Sequence, residues 1–313
     1  MVRAWALVLS PPLLAVAGCT ATVVEEGDGG ESAALAAQGS VAVERIEAVF
    51  GGASQVRARV SAHFMRVGGL AQDVAERVLG SPLELPAGGT CAWREPPGAA
   101  QVPPPEAAAG SIELLDVGDM VLRAGASTTP LAARAFPDVG EIVSGVVYTS
   151  RDDSAELPVG TTYLFETSGS ALVEGFSMQL EAPDAPEGLG VAGRPVAGDV
   201  PSVGAGQPVA LRWTAGRPAA GDRIYVDVTG VERGAEARGL VPAQERTLRC
   251  SFEDGGAAEL PARFAVWPAA QEIEIAVHRW RRLVLKPSAI DSAVVDFDFA
   301  VTVRAAVVEP PAP

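Results

Sequence analysis

This chain is short of the residues on which most enzyme chemistry depends. Its 313 residues hold two histidines, three cysteines, one lysine (Lys286) among 24 basic residues, and only 5% aromatics. His63 and His278 stand 215 positions apart with no HxH or HExxH spacing, so no histidine-based zinc site is expected. There is no G-x-S-x-G elbow, and a Ser-His-Asp triad would have to draw on those two histidines. No metal and no cofactor are expected. Positive charge is also scarce: 39 acidic residues leave a net charge of −15, which repels phosphate backbones and argues against nucleic acid as a partner.

Apolar residues are plentiful. At 48% of the chain they suffice for packed cores, and the length allows two ordinary domains. The apolar stretch Ala4–Ala17 follows a single positive residue, Arg3, and is interrupted by Ser10, Pro11 and Pro12. Its 14 residues fall short of the roughly 20 that a membrane-spanning helix needs, but fit a secretory signal. The four residues that close it, Val16-Ala17-Gly18-Cys19, resemble a bacterial lipobox. The resemblance implies cleavage before Cys19, thioether formation to a diacylglycerol, and acylation of the new amino group. Several acyl chains on one residue make such anchoring essentially permanent. Thr20 stands where an Asp would imply retention at the inner membrane, so the expected location is the outer membrane of a Gram-negative cell envelope. The competing reading is an ordinary signal peptide with Cys19 incidental.

These features divide the chain into a signal peptide (1–18), a lipidated N-terminus with an acidic, glycine-rich tether (19–40), a β-rich domain (41–185) and an immunoglobulin-like domain (186–313). From residue 41 the dominant period is two. Val56, Ala58, Val60, Ala62 and Phe64 share one face, with Arg57, Arg59, Ser61 and His63 on the other. Val295, Phe297, Phe299, Val301 and Val303 likewise oppose Asp296, Asp298, Thr302 and Arg304. The fold class is therefore all-β: two antiparallel sandwiches, the second of immunoglobulin or fibronectin size. A short helix is expected in "GLAQDVAERVLG", a helical turn or two in "TTPLAARAF", and a hairpin at "EDGG" (253–256). The Pro/Gly-dense stretch 182–208 marks the expected domain boundary.

The ordered segments "AGSIELLDVGD", "LPVGTTYLFETSGSALVEGFSMQLEAP", "VALRWTAG" and "CSFEDGGAAELPARF" are similar to secreted lipoproteins of myxobacteria and related bacteria. That group has no established activity, so the likeness implies architecture and envelope location and carries over no site residues.

Three candidate sites remain. Cys91 and Cys250 are an even pair in an oxidising compartment. Either they form a disulfide, or they are two separately buried thiols; placement in different sandwiches favours the second, because the Cα spacing of a bridge is short. His278, Arg279, Trp280, Arg281 and Arg282 form a basic–aromatic patch where the inward register of Ile273, Ile275 and Val277 looks set to slip at a bulge. Its default is structural, with anionic glycan as the alternative. Asp296 and Asp298 share a strand face, which suits solubility first and two-carboxylate glycan hydrolysis second.

The reading that results is a non-catalytic, lipid-anchored envelope protein with a binding or assembly role toward an envelope protein or glycan. A glycan-active hydrolase using paired carboxylates is the alternative. Cys19→Ala is expected to block acylation and leave precursor or soluble protein; membrane fractionation with lipid labelling checks this, and labelled, membrane-bound Cys19→Ala protein would defeat it.

Overall fold

The computed structural model describes residues 35–80, 83–94, 110–136, 143–196, 200–217, 221–231, 247–262 and 272–309. Cys19 and the lipobox lie outside them. Among the described residues the chain is nearly all β. The elements of the first part are β1 (Ala37–Phe50), β2 (Ala53–Gly68), α1 (Gln72–Leu79), β3 (Thr90–Arg94), β4 (Ser111–Leu114), β5 (Met120–Ala124), β6 (Ser127–Ala135), β7 (Val143–Thr149), β8 (Thr162–Thr167) and β9 (Ser177–Glu181). Then follow β10 (Gly190–Val191), β11 (Arg194–Pro195), β12 (Ser202–Gly204), β13 (Val209–Arg212), β14 (Arg223–Val231), β15 (Thr247–Phe252), β16 (Ala257–Leu260), β17 (Glu272–Leu285) and β18 (Ser292–Val308).

One large sheet runs β3-β15-β14-β17-β18-β1-β2-β4-β7-β6-β5-β8-β9, with β12 paired beside β18; a smaller one runs β11-β10-β13-β16. Two large hydrophobic cores form among the described residues, with a smaller third cluster of Met65, Ala75, Ile112, Leu114 and Val143 under α1. In the first, Val43, Val60 and Phe64 meet Leu122, Tyr163 and Phe165. In the second, Val226, Cys250, Ile275 and Val303 meet Val191, Leu211 and Leu260 of the small sheet.

The cores are not two separate domains. Residues 35–313 form one compact unit, and strands from both sides of the expected 185/186 boundary interleave. β1 pairs in parallel with β18, and β3 pairs with β15. The long strands β17 and β18 serve both cores: Val295, Phe297 and Phe299 face the first, while Val301, Val303 and Ala305 face the second. Besides β1–β18, the pairs β4–β7 and β12–β18 are parallel, so the sheet is mixed where antiparallel sandwiches were expected. β1 also begins at Ala37, inside the stretch read as tether. Gly39 is required in β1 by packing: a Cβ there would lie 2.7 Å from the Phe64 ring.

Other local expectations change for tertiary reasons. α1 forms where the pattern placed it, but "TTPLAARAF" is strand, because β6 pairs with β5 and β7. "EDGG" closes no hairpin; β15 stays in the large sheet and β16 crosses to pair with β13 in the small one. Cys91 and Cys250 are directly opposite on β3 and β15, and a disulfide joins them. The separation that argued against it vanishes once β3 joins the sheet of the second core.

At the junction of the cores the inward face of β17 carries two arginines. Odd positions 273 to 285 all point the same way, giving Ile273, Ile275, Val277, Arg279, Arg281, Leu283 and Leu285 without a bulge. Arg279 is 1% exposed, and all five of its guanidinium N–H groups are used. Nε and Nη2 donate to Asp254 at 2.7 and 3.2 Å; Nη1 donates to the carbonyls of Asp184 and Ala185, and Nη2 to that of Thr214. Asp254 in turn accepts from Trp213 Nε1 at 2.7 Å and the Gly216 amide at 3.1 Å. Gly216 is required there, since a Cβ would sit 2.9 Å from Arg279 Cζ. Arg281 is held by Asp222 and the Glu181 carbonyl. The Pro/Gly-dense stretch is therefore docked on the junction at its first residues, not a spacer between domains.

Removing one partner of a buried, fully bonded ion pair leaves the other charge stranded, at a cost of about 3–5 kcal/mol. Arg279→Ala is expected to lower the unfolding free energy by that amount in urea titration; a loss below about 1 kcal/mol would mean the junction does not depend on it.

Candidate functional site

Because side chains alternate along a strand, every residue facing the cores leaves its neighbours on the other side of the sheet. Across β14, β17, β18, β1 and β2 this outer face forms a concavity of about 450 Å³. Small residues, Ser40, Ala42 and Ser61, make its floor, with Trp280, Arg282, Asp296 and Asp298 to one side and His63 and Met65 to the other. α1 and Leu83 contribute further walls, and Gln38 Nε2 reaches Gln72 Oε1 at 3.2 Å to tie the helix to β1.

The register brings distant residues into one row: Arg223, Trp280, Asp298, Glu44 and Arg59 lie side by side on five adjacent strands. Asp298 anchors a polar network. Tyr225 Oη donates to its Oδ2 at 2.5 Å, and His278 Nδ1 lies 2.8 Å from Oδ1. The Tyr225 ring stacks on His278 at 4.1 Å and is capped by the Arg249 guanidinium at 4.5 Å. Arg249 is bound bidentately by Asp227 at 2.8 and 2.6 Å. Arg282 grips Asp296 in the same two-pronged way, at 2.8 and 2.9 Å, while lying over the Trp280 ring.

Electrostatics separates the carboxylates. Burial alone would raise the Asp298 carboxyl, but the charge of His278, hydrogen bonds from His278 and Tyr225, and Arg249 outweigh it and hold Asp298 below its usual range. Glu44, one strand away, moves the opposite way. Although its side chain opens to solvent, the flanking walls desolvate it and raise its pKa; Asp298 and Asp153 add to the rise, while Arg59 and His278 oppose it. Among the described residues Glu44 has no hydrogen bond and no salt bridge.

The structure divides the basic–aromatic patch by strand parity. Trp280 and Arg282 line the concavity, and His278 is buried on the same side of the sheet against Tyr225 and Asp298; Arg279 and Arg281 are buried between the cores. Asp296 and Asp298 do share a face, but it is concave and networked, not a freely solvated one. His63, on the polar face of its strand, is half-buried in the wall beside the floor. Glu44, Tyr225, Asp227 and Arg249 carried no motif. The alternation of "RIYVDVTG" placed Tyr225 and Asp227 on the outward face, and that was their only signal.

Among the described residues no three His, Cys, Asp or Glu side chains converge to hold a metal ion, and no helix is long and apolar enough to cross a membrane. No protein-family model matches the chain, and no curated protein is significantly similar to it.

Burial pushes the His63 pKa down to about 4, from a usual value of 6.5. Between those values the unfolded chain binds a proton that the folded protein refuses, so stability falls as pH drops from about 6.5 toward 4. The wild type is expected to lose about 2–3 kcal/mol more than His63→Gln across that window. Unfolding titrations at pH 7 and 4.5 check this; equal losses in both proteins would overturn the burial of the ring.

Proposed function

We propose that this is a non-catalytic, lipid-anchored protein of the bacterial cell envelope whose outer sheet face binds a small polar ligand, presented by an envelope glycan or partner protein. The carrying observation is the concavity itself, within the size range of about 300–1,000 Å³ typical of small-molecule sites, lined by side chains held in place by reciprocal hydrogen bonds. Preformed pairs such as Arg282–Asp296 keep acceptor and donor capacity at fixed positions, which lowers the entropy lost on binding. The lipobox ending at Cys19 supports the envelope location.

A second reading, glycan hydrolysis, draws on the same place. Glu44 and Asp298 sit on adjacent strands with their proton affinities pushed apart, the pattern of an acid beside an anion. Against it, both Asp298 oxygens are already bonded, and Asp296 is engaged by Arg282, so neither is free for attack.

Full-length protein in mild detergent is expected to bind isolated envelope glycan, and Ala42→Trp, which fills the floor, to abolish that binding without loss of thermal stability. Binding unaffected by Ala42→Trp would overturn the concavity as the site. Turnover of chromogenic glycosides that is lost in Glu44→Gln would replace the binding reading with the hydrolytic one.

A further inference from the structure

The lining of the concavity narrows what it can hold. A planar aromatic ligand needs an open ring face; both faces of Tyr225 are taken, by His278 and Arg249, and Arg282 covers one face of Trp280. A strongly anionic ligand would meet Glu44, Glu76, Asp296 and Asp298 in the same lining, and the cations of that lining already face carboxylates. Arg249 is bound by Asp227, Arg282 by Asp296, Arg94 lies 3.9 Å from Asp227, and His63 is held neutral at ordinary pH by burial. An apolar ligand would strand the floor hydroxyls of Ser40 and Ser61 and the amides of Gln38 and Gln72, at the cost of unpaired polar groups.

The lining groups without a partner among the described residues include the indole Nε1 of Trp280, a buried donor, and the carboxylate of Glu44, an acceptor. Glu44 alone of its lining carboxylates that face the floor row has neither hydrogen bond nor salt bridge among the described residues, and Asp298 lies in register with it on the next strand. Adjacent strands stand about 4.8 Å apart, so a small cationic head bonded to Glu44 also lies beside Asp298, whose two oxygens each keep a second lone pair beyond the Tyr225 and His278 bonds. Serine hydroxyls, glutamine amides and the Arg282–Asp296 pair surround that point with donors and acceptors of both kinds. We propose that the ligand is a small, non-aromatic polyol bearing a free ammonium group, an amino sugar, with its ammonium between Glu44 and Asp298 and its hydroxyls on the Ser40, Ser61 and Arg282–Asp296 side. This rests on the concavity being the binding site and assigns the chemistry that it selects.

Ammonium-to-carboxylate recognition is a charge-assisted bond, and losing it costs roughly tenfold or more in affinity. The test is calorimetric titration of the full-length protein in detergent with glucosamine, N-acetylglucosamine and glucose. Glucosamine is expected to bind at least about tenfold more tightly than the other two. Glu44→Gln, a change at an open position that leaves the fold intact by thermal unfolding, is expected to erase that preference. Failure of glucosamine to bind, equal binding of the three sugars, or an unchanged preference in Glu44→Gln would each overturn the assignment. Envelope binding that remains sensitive to Ala42→Trp in those cases leaves the concavity as the site and rejects only the ammonium ligand; insensitivity to Ala42→Trp rejects both.

Discussion

The structure turns on a buried guanidinium. Arg279 lies where the apolar lining of one core ends and that of the other begins, on a strand that belongs to both. Taking a cation out of water there costs several kcal/mol, and the surrounding chain answers with a carboxylate and three carbonyls. Those acceptors come from three separate segments, 184–185, 214 and 254, so one side chain sets where the crossing stretch, the end of β13 and the turn after β15 must lie. Without such a fixed point, two cores sharing two strands could slide against each other. With it, the inward register of β17 is unique, since a shift of one residue would turn Arg279 outward and Trp280 into the junction.

The outer face inherits that order. Fixing Arg279 and Arg281 inward fixes His278, Trp280 and Arg282 outward, beside Asp296 and Asp298 of the neighbouring strand. The concavity is thus built on the most firmly paired strands of the sheet, and its side chains hold one another through Asp298, Asp227 and Asp296. Its far wall is anchored differently. The stretch 83–94 runs from the site to β3, where the Cys91–Cys250 disulfide closes a separation of 159 residues. Disulfides typically stabilise a fold by about 2–4 kcal/mol, chiefly by restricting the unfolded chain, and longer closed loops lie toward the upper end. Arg249 also reaches toward the Glu84 carbonyl at 3.5 Å, so the same wall touches the polar network it borders.

Much of this was legible residue by residue, and the misreadings have a common cause. The alternation in 56–64 and 295–303 assigned faces correctly, and α1 followed its apolar spacing. Arginines at 279 and 281 occupy inward positions, where a sequence reader expects apolar residues, so an unbroken strand looked like a bulge. Asp254 belongs to a turn that resembles a hairpin, yet its carboxylate serves Arg279 and the chain leaves for another sheet. Cys91 and Cys250 seemed remote because 185/186 looked like a wall between domains, and β3 crosses it.

The sequence by itself determined the period of the strands, and with it which side chains share a face, because alternation is a property of a single extended segment. It also placed the lipobox-like residues that end at Cys19. Only the tertiary structure decided which strands are neighbours, because any two strands of like alternation can pair equally well in the abstract. Glu44 and Asp298, 254 positions apart, became a pair through the parallel register of β1 on β18. Proximity across the sheet, not any local pattern, made their carboxylates differ.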